Sequence, residues 1–207
     1  MRPALFTFDI FGTVVDWRGG LLRDVPALRE ADFDGVIDLQ GRLEREDPSR
    51  PYREVVARSL EAFGVSAARA HEVGANVGRW PLFPDAREGM KRLEAIAPCV
   101  AMTNSDHAHG RQVQEQLGFE LSGWLCAEET RVYKPDPAFW ELVGRARAVA
   151  PGPRWWHVSA YADYDLEVAS RLGLTTVFVE RPHARKGKAA HSVKDLVELA
   201  ERLNASR

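Results

Sequence analysis

The chain has 207 residues, 45% of them hydrophobic and 28% charged, with a formal net charge of −2 at pH 7. It is long enough to bury a core without staples, and its near-neutral balance gives no reason to expect nucleic acid or an acidic membrane as partner. Two cysteines, Cys99 and Cys126, fall in predicted strands as free thiols; a disulfide framework is not expected, and a reducing cytoplasm fits. No apolar run is long enough to span a membrane, and the N-terminus does not read as a signal peptide.

The first apolar run, 4–8, predicts a buried strand that stops at Asp9 and a Gly12-Thr13 turn. Four helical patterns follow with no strand between them, at 21–31, 33–46, 52–63 and 66–77, punctuated by 47–51 and Gly64. A helix over 85–96 leads into a strand over 99–103. A helix over 110–117 ends at Gly118, a residue suited to a left-handed cap. Next come a strand over 123–127 and a helix over 137–150 that opens with proline. A strand over 155–159, a helix over 165–172 closed by Gly173, and a strand over 175–180 continue the rhythm. The basic loop 181–188 is expected to be solvated. Ser192, with Asp195 three residues on, predicts a capped terminal helix over 192–203. Strands alternating with helices imply an α/β fold with a parallel sheet. The helical stretch 16–81 is an insert between the first and second strands.

Asp9 ends a buried strand, at the edge where open α/β sheets bind ligands, and a carboxylate there can act as a nucleophile. Two residues on stands Phe11, which can protonate nothing. The second core strand ends at Thr103-Asn104-Ser105, whose hydroxyl and amide groups can bind an oxyanion or cap the next helix together with Asp106. Asp106, His107 and His109 read as a polar helix start rather than a metal site, since no fourth ligand pattern is visible. Lys134 precedes Pro135, which holds its backbone extended. A lysine beside Asp9 would favour the ionised carboxylate.

The string Asp9-Ile10-Phe11-Gly12-Thr13, the Thr103-Asn104 pair, Tyr133-Lys134-Pro135-Asp136-Pro137 and the Asp163–Asp165 region resemble, in order, the four motifs of the haloacid dehalogenase superfamily. The first resembles the 2-haloacid dehalogenase branch, where an aromatic stands in place of the second aspartate of the phosphatases. In the fourth motif, Ala169 and Gly173 fit the pattern when Asp165 is the second acid. Tyr161 then stands where the first acid, commonly a magnesium ligand, belongs. The resemblance implies a Rossmann-like core at 1–15 and 82–207, with a small helical cap at 16–81 hinged near 16–20 and 80–84.

The activity it implies is metal-independent hydrolysis of a carbon–halogen bond in a short 2-substituted carboxylic acid, with no cofactor. Asp9 would form an ester with the substrate carbon, and Asp165 would activate water to hydrolyse it. Thr103 and Asn104 would stabilise charge, Lys134 would hold Asp9 anionic, and Thr13 would support the nucleophile loop. Phe11, Tyr161 and Trp140 would line the substrate site; Trp140 stands where the family usually has tyrosine. A cap arginine binds carboxylate or halide in that family. Arg18, Arg42, Arg50 and Arg53 are the candidates, with Arg42 the first choice. A phosphomonoesterase, a hydrolase opening a strained C–N ring, and a binding protein of the same fold are the alternatives. A homodimer stays open.

Overall fold

The computed structural model describes residues 2–205. Strand β1 (Leu5–Phe8) is followed by five helices: α1 (Trp17–Asp24), α2 (Phe33–Glu46), α3 (Tyr52–Ala62), α4 (Ala67–Asn76) and α5 (Ala86–Glu94). Then come β2 (Cys99–Thr103), α6 (His107–Leu117), β3 (Gly123–Cys126), α7 (Ala127–Thr130), α8 (Ala138–Arg147) and β4 (Trp155–Ser159). The chain closes with α9 (Glu167–Arg171), β5 (Thr175–Val179), β6 (His191–Val193) and α10 (Leu196–Ala205). The strands form one parallel sheet in the order β3-β2-β1-β4-β5-β6. The central strands β1, β2 and β4 are buried along their whole length, which is why they read as near-continuous apolar runs rather than as alternating ones. Among the described residues no helix is long and apolar enough to cross a membrane.

The order of the strands positions the chemistry. β1 lies between β2 and β4, so the residues following all three meet at one sheet edge. Helices α1–α4 form the helical cap over that edge. The chain crosses between sheet and cap twice, and the two crossings bind each other: Asp16 N–H donates to Pro81 O at 2.8 Å and Phe83 N–H to Val14 O at 3.0 Å.

Several sequence expectations shift. The first cap helix ends at Asp24 rather than running through 31, because Pro26 interrupts it. At the other end of the chain, Ser192 belongs to the short edge strand β6, so it caps no helix. The reciprocal cap sits three residues later: Asp195 Oδ1 accepts from Glu198 N–H, and the Glu198 carboxylate accepts from Lys194 N–H, each at 2.7 Å. The loop 181–188 is not simply solvated. The Arg181 side chain is 5% exposed and forms a two-pronged pair with Asp85 at 2.8 and 2.9 Å. Its Nε donates to Thr13 O, which ties the loop after β1 to the end of β5.

Core side chains also hold the cap through its backbone. The Asp106 carboxylate, at the start of α6, accepts from Tyr52 N–H at 2.7 Å and Arg53 N–H at 3.1 Å, and so caps the N-terminus of α3 from across the interface. His109 Nδ1 accepts from Asp106 N–H, which leaves Nε2 to donate to Gly74 O at 2.9 Å. Burial pushes the His109 pKa down, so this imidazole stays neutral. We expect Asp106→Ala to lower stability in urea denaturation by about 1–2 kcal/mol, the usual cost of a lost helix cap. An unchanged midpoint would show that α3 does not depend on this carboxylate.

Candidate active site

Asp9 ends β1 and lines a cavity of about 120 Å³ under the cap, with its two oxygens held from different sides. Lys134 Nζ donates to Oδ1 at 2.9 Å and Thr13 Oγ1 donates to Oδ2 at 2.7 Å. Thr13 reaches back because Gly12 turns the chain with φ +97°, in the left-handed region, and its Oγ1 in turn accepts from Ala160 N–H. A Cβ at Gly12 would run into the Tyr161 ring, so glycine also lets that ring close over the nucleophile loop.

Lys134 is 2% exposed and its ammonium is shared: it also donates to Asp165 Oδ2 at 2.9 Å. Asp165 lies in a π-type turn, Ala162–Leu166, a local widening that is frequent at functional sites. Ser159 Oγ, at the tip of β4, donates to the same Oδ2, while the buried Oδ1 has no partner among the described residues. Burial acts to raise the Asp165 pKa, but the Lys134 charge overrides it and brings it down to about 2. Asp9 moves the other way. Its burial and the neighbouring Asp165 charge outweigh the pull of Lys134 and Thr13, and its pKa lies above the ordinary carboxylate value.

Asn104 links the strand tip to Lys134. Its Oδ1 accepts from Lys134 N–H at 2.7 Å, so its Nδ2 is the donor that faces Lys134 O, the Tyr164 hydroxyl and Glu44 Oε2. Thr103, Phe11 and Tyr161 join Asp9, Asn104 and Lys134 in the cavity wall.

Two other expected residues lie elsewhere. Arg42 is exposed on α2 and outside the cavity lining. Trp140 is fully buried beneath the sheet, its ring centroid 5.4 Å from that of His157. The other cap arginines are occupied. Arg18 pairs with Glu30, Arg50 donates to Leu43 O, and Arg53 pairs with Asp106. The arginine in the wall is Arg185, brought there because its backbone pairs with the Tyr161 segment: Arg185 N–H donates to Ala160 O at 3.0 Å and Ala162 N–H to Arg185 O at 2.8 Å.

The cap contributes Trp17, Ile37, Gln40, Gly41, Glu44 and Tyr52 to the wall. Gln40 and Glu44 sit on the same face of α2 as the core residues Phe33 and Val36, the 3–4 spacing that normally carries apolar side chains. Two polar residues on a buried stripe are the signal by which they could have been found. His157 had no such signal. It sits mid-strand, and its place depends on Thr7, whose Oγ1 accepts from Trp155 Nε1 and meets His157 Nδ1, both at 2.8 Å.

A family model for haloacid dehalogenase-like hydrolases matches residues 3–151. The chain belongs to that family. A curated relative, (S)-2-haloacid dehalogenase 4A of Burkholderia cepacia, is 28% identical over 124 residues. The match takes in 56% of this chain and 53% of that protein, so the chain spans about half the length of this relative. The crystal structure of an L-2-haloacid dehalogenase superposes with a TM-score of 0.83 at 27% identity, over 98% of this chain and 99% of that one. An L-2-haloacid dehalogenase from Xanthobacter autotrophicus with chloropropionic acid covalently bound shares the fold, with a TM-score of 0.77 at 15% identity over 99% and 100% of the two chains.

Replacing the shared ammonium exposes what it does for the family's two carboxylates here. Lys134→Met leaves Asp9 and Asp165 buried together without a counter-charge, which costs about 3–5 kcal/mol near pH 8. The deficit should shrink as the pH falls, because protonating one carboxyl relieves the repulsion. Urea denaturation of the variant and the parent at pH 5 and pH 8 measures this; an equal deficit at both would contradict the electrostatic role.

Proposed function

We propose that this hydrolase displaces halide from a short 2-haloacid, using Asp9 as nucleophile. The observation that carries this reading is the setting of Asp9: both oxygens are ordered by donors, its basicity is raised by burial, and it faces a small cavity under the cap. In the first step an Asp9 oxygen forms a bond to the substrate carbon as the carbon–halogen bond breaks, and the electron pair leaves with the halide. Halide is a weak base and needs no protonation, which makes Phe11 intelligible at the position two residues on. In the second step water adds to the Asp9 carbonyl, the 2-hydroxy acid leaves, and Asp9 is restored as the carboxylate. Asp165, buried behind the cavity wall and joined to Asp9 through the Lys134 ammonium, is the base for that water. Thr103 and Asn104 steady the charge that develops around Asp9.

The names of the relatives support this choice within the family, and Phe11 and Tyr161, standing where the phosphatases carry acids, support it against a phosphatase. Magnesium wants an oxygen cage with carboxylate ligands. Here the space between Asp9 and Asp165 is held by the Lys134 ammonium, 2.9 Å from each. Phe11 and Tyr161 add no further carboxylate. These residues do not fit a magnesium site, and the proposed steps use none. We further propose that the core comprises 1–15 and 82–207 and the cap 16–81, and that the protein works in the cytoplasm, where its two buried free thiols stay reduced.

Halide release from 2-chloropropionate should survive excess EDTA, while para-nitrophenyl phosphate is turned over poorly even with added magnesium. Asp9→Asn should abolish halide release with the fold intact, because an amide is nearly isosteric but a far weaker nucleophile. Chelator-sensitive phosphate release with no halide release would overturn the reading.

Asp9 also sets a pH limit. It must be ionised to attack, and its pKa is raised, so the acid limb of kcat/KM should lie above the ordinary carboxylate value of 3.8. Activity unchanged well below that value would contradict Asp9 as the attacking group.

A further inference from the structure

Glu44 is unexplained by the chemistry above. It projects from α2 into the cavity wall and is 7% exposed, yet it has no salt-bridge partner among the described residues. The nearest buried ammonium, that of Lys134, is engaged by Asp9 and Asp165. Its one hydrogen bond is to Oε2, from Asn104 Nδ2 at 3.2 Å, and the orientation of that amide is fixed by Lys134 N–H. Oε2 is therefore the acceptor. A proton carried by this carboxyl sits on Oε1, which has no hydrogen-bond partner among the described residues and belongs to a side chain lining the cavity.

A cation, Arg185, lines the same cavity. Its guanidinium, about a third exposed, lies 3.6 Å from Asp38, six residues before Glu44, and 3.9 Å from Asp163, so a substrate carboxylate would share it with these two side chains. Six residues of helix span about 9 Å. A small halo acid placed between Arg185 and Glu44 meets a positive charge at one end and a neutral donor, the Glu44 acid, at the other.

We infer that Glu44 donates the hydrogen bond of a neutral carboxylic acid to the departing halide, while Arg185 receives the substrate carboxylate. The inference rests on the dehalogenase reading and deepens it: the cap supplies the hydrogen-bond donor that Phe11 cannot. It favours leaving groups that accept hydrogen bonds strongly, so chloride gains more than bromide. Burial, the largest influence, pushes the Glu44 pKa up to about 8, against the weaker pull of Lys134, Asn104 and Arg45. The tyrosines around it, Tyr52, Tyr133 and Tyr164, are all raised above their ordinary value of 10 by burial and do not titrate in the same range. Below pH 8 the donor is present. Above it a carboxylate faces the leaving anion and opposes its departure.

The test compares single-turnover halide release from 2-chloropropionate and 2-bromopropionate between pH 6 and pH 10, in the parent, Glu44→Gln and Glu44→Leu. In the parent, chloride release should slow about tenfold as the pH passes through 8, the order expected for losing one hydrogen bond to a charged group, and bromide release by less, so the chloride-to-bromide rate ratio falls. Glu44→Gln should keep the ratio at pH 7 and lose the inflection, since its amide donates without titrating. Glu44→Leu should show the low ratio at every pH. An inflection near pH 8 that persists in Glu44→Gln, or equal loss of both halides in Glu44→Leu, overturns the role of Glu44 and leaves the dehalogenase reading standing. Release of neither halide by the parent overturns both.

Discussion

One buried ammonium serves two buried carboxylates, and the site is organised around that deficit of charge. Lys134 reaches Asp9 and Asp165 at 2.9 Å each, so the trio carries a net negative charge in a setting where burial makes every charge costly. The structure distributes the cost unevenly. Asp165 keeps the added donor Ser159 and is held strongly ionised, whereas Asp9 is left the more basic of the pair. That asymmetry separates the two carboxylates: the more basic Asp9 faces the cavity, and Asp165 lies behind it as the anion that shares Lys134.

The cap matters for more than closure. It is held to the core by core side chains that bond its backbone, including Asp106 at the start of α3 and His109 at Gly74. Tyr133 adds a third tie through its hydroxyl to Arg50 O at 2.7 Å. Because these contacts meet main-chain groups, they fix where α2 and α3 lie without dictating which side chains α2 presents. In this chain the wall presents Gln40 and Glu44 where an arginine is expected. Gln40 is satisfied within the cap by Ser59 and Tyr52, which leaves Glu44 as the polar group of that face with an unused oxygen.

The parts of the site legible in the sequence are those fixed by short-range pattern. Asp9, Thr103 and Lys134 each close or follow a recognisable strand or turn, so their convergence followed from the order of the strands. Arg185 was not legible, because it reaches the cavity through a backbone pairing between 160–162 and a loop twenty-odd residues later, and nothing local marks that register. Arg181 was misread for a related reason: a basic loop looks solvated until its partner, Asp85, is brought across the fold. Ser192 failed through competition. Three residues with a good capping pattern were recruited to the sheet edge as β6, and the helix began at the next set of caps. Arg42 shows the limit of analogy: the cap has the expected helices, but helical phase decides which of its arginines faces inward, and Arg42 faces out.

Covalent catalysis through Asp9 can be tested at the atom it concerns. With enzyme in excess over 2-chloropropionate in ¹⁸O water, a single turnover followed by proteolysis and mass spectrometry reports where the water oxygen goes. If water hydrolyses an Asp9 ester at its carbonyl, the peptide carrying Asp9 gains the label and the first-turnover 2-hydroxy acid does not. Label in the product, with none in Asp9, would mean that water attacks the substrate carbon directly and that Asp9 is not the nucleophile.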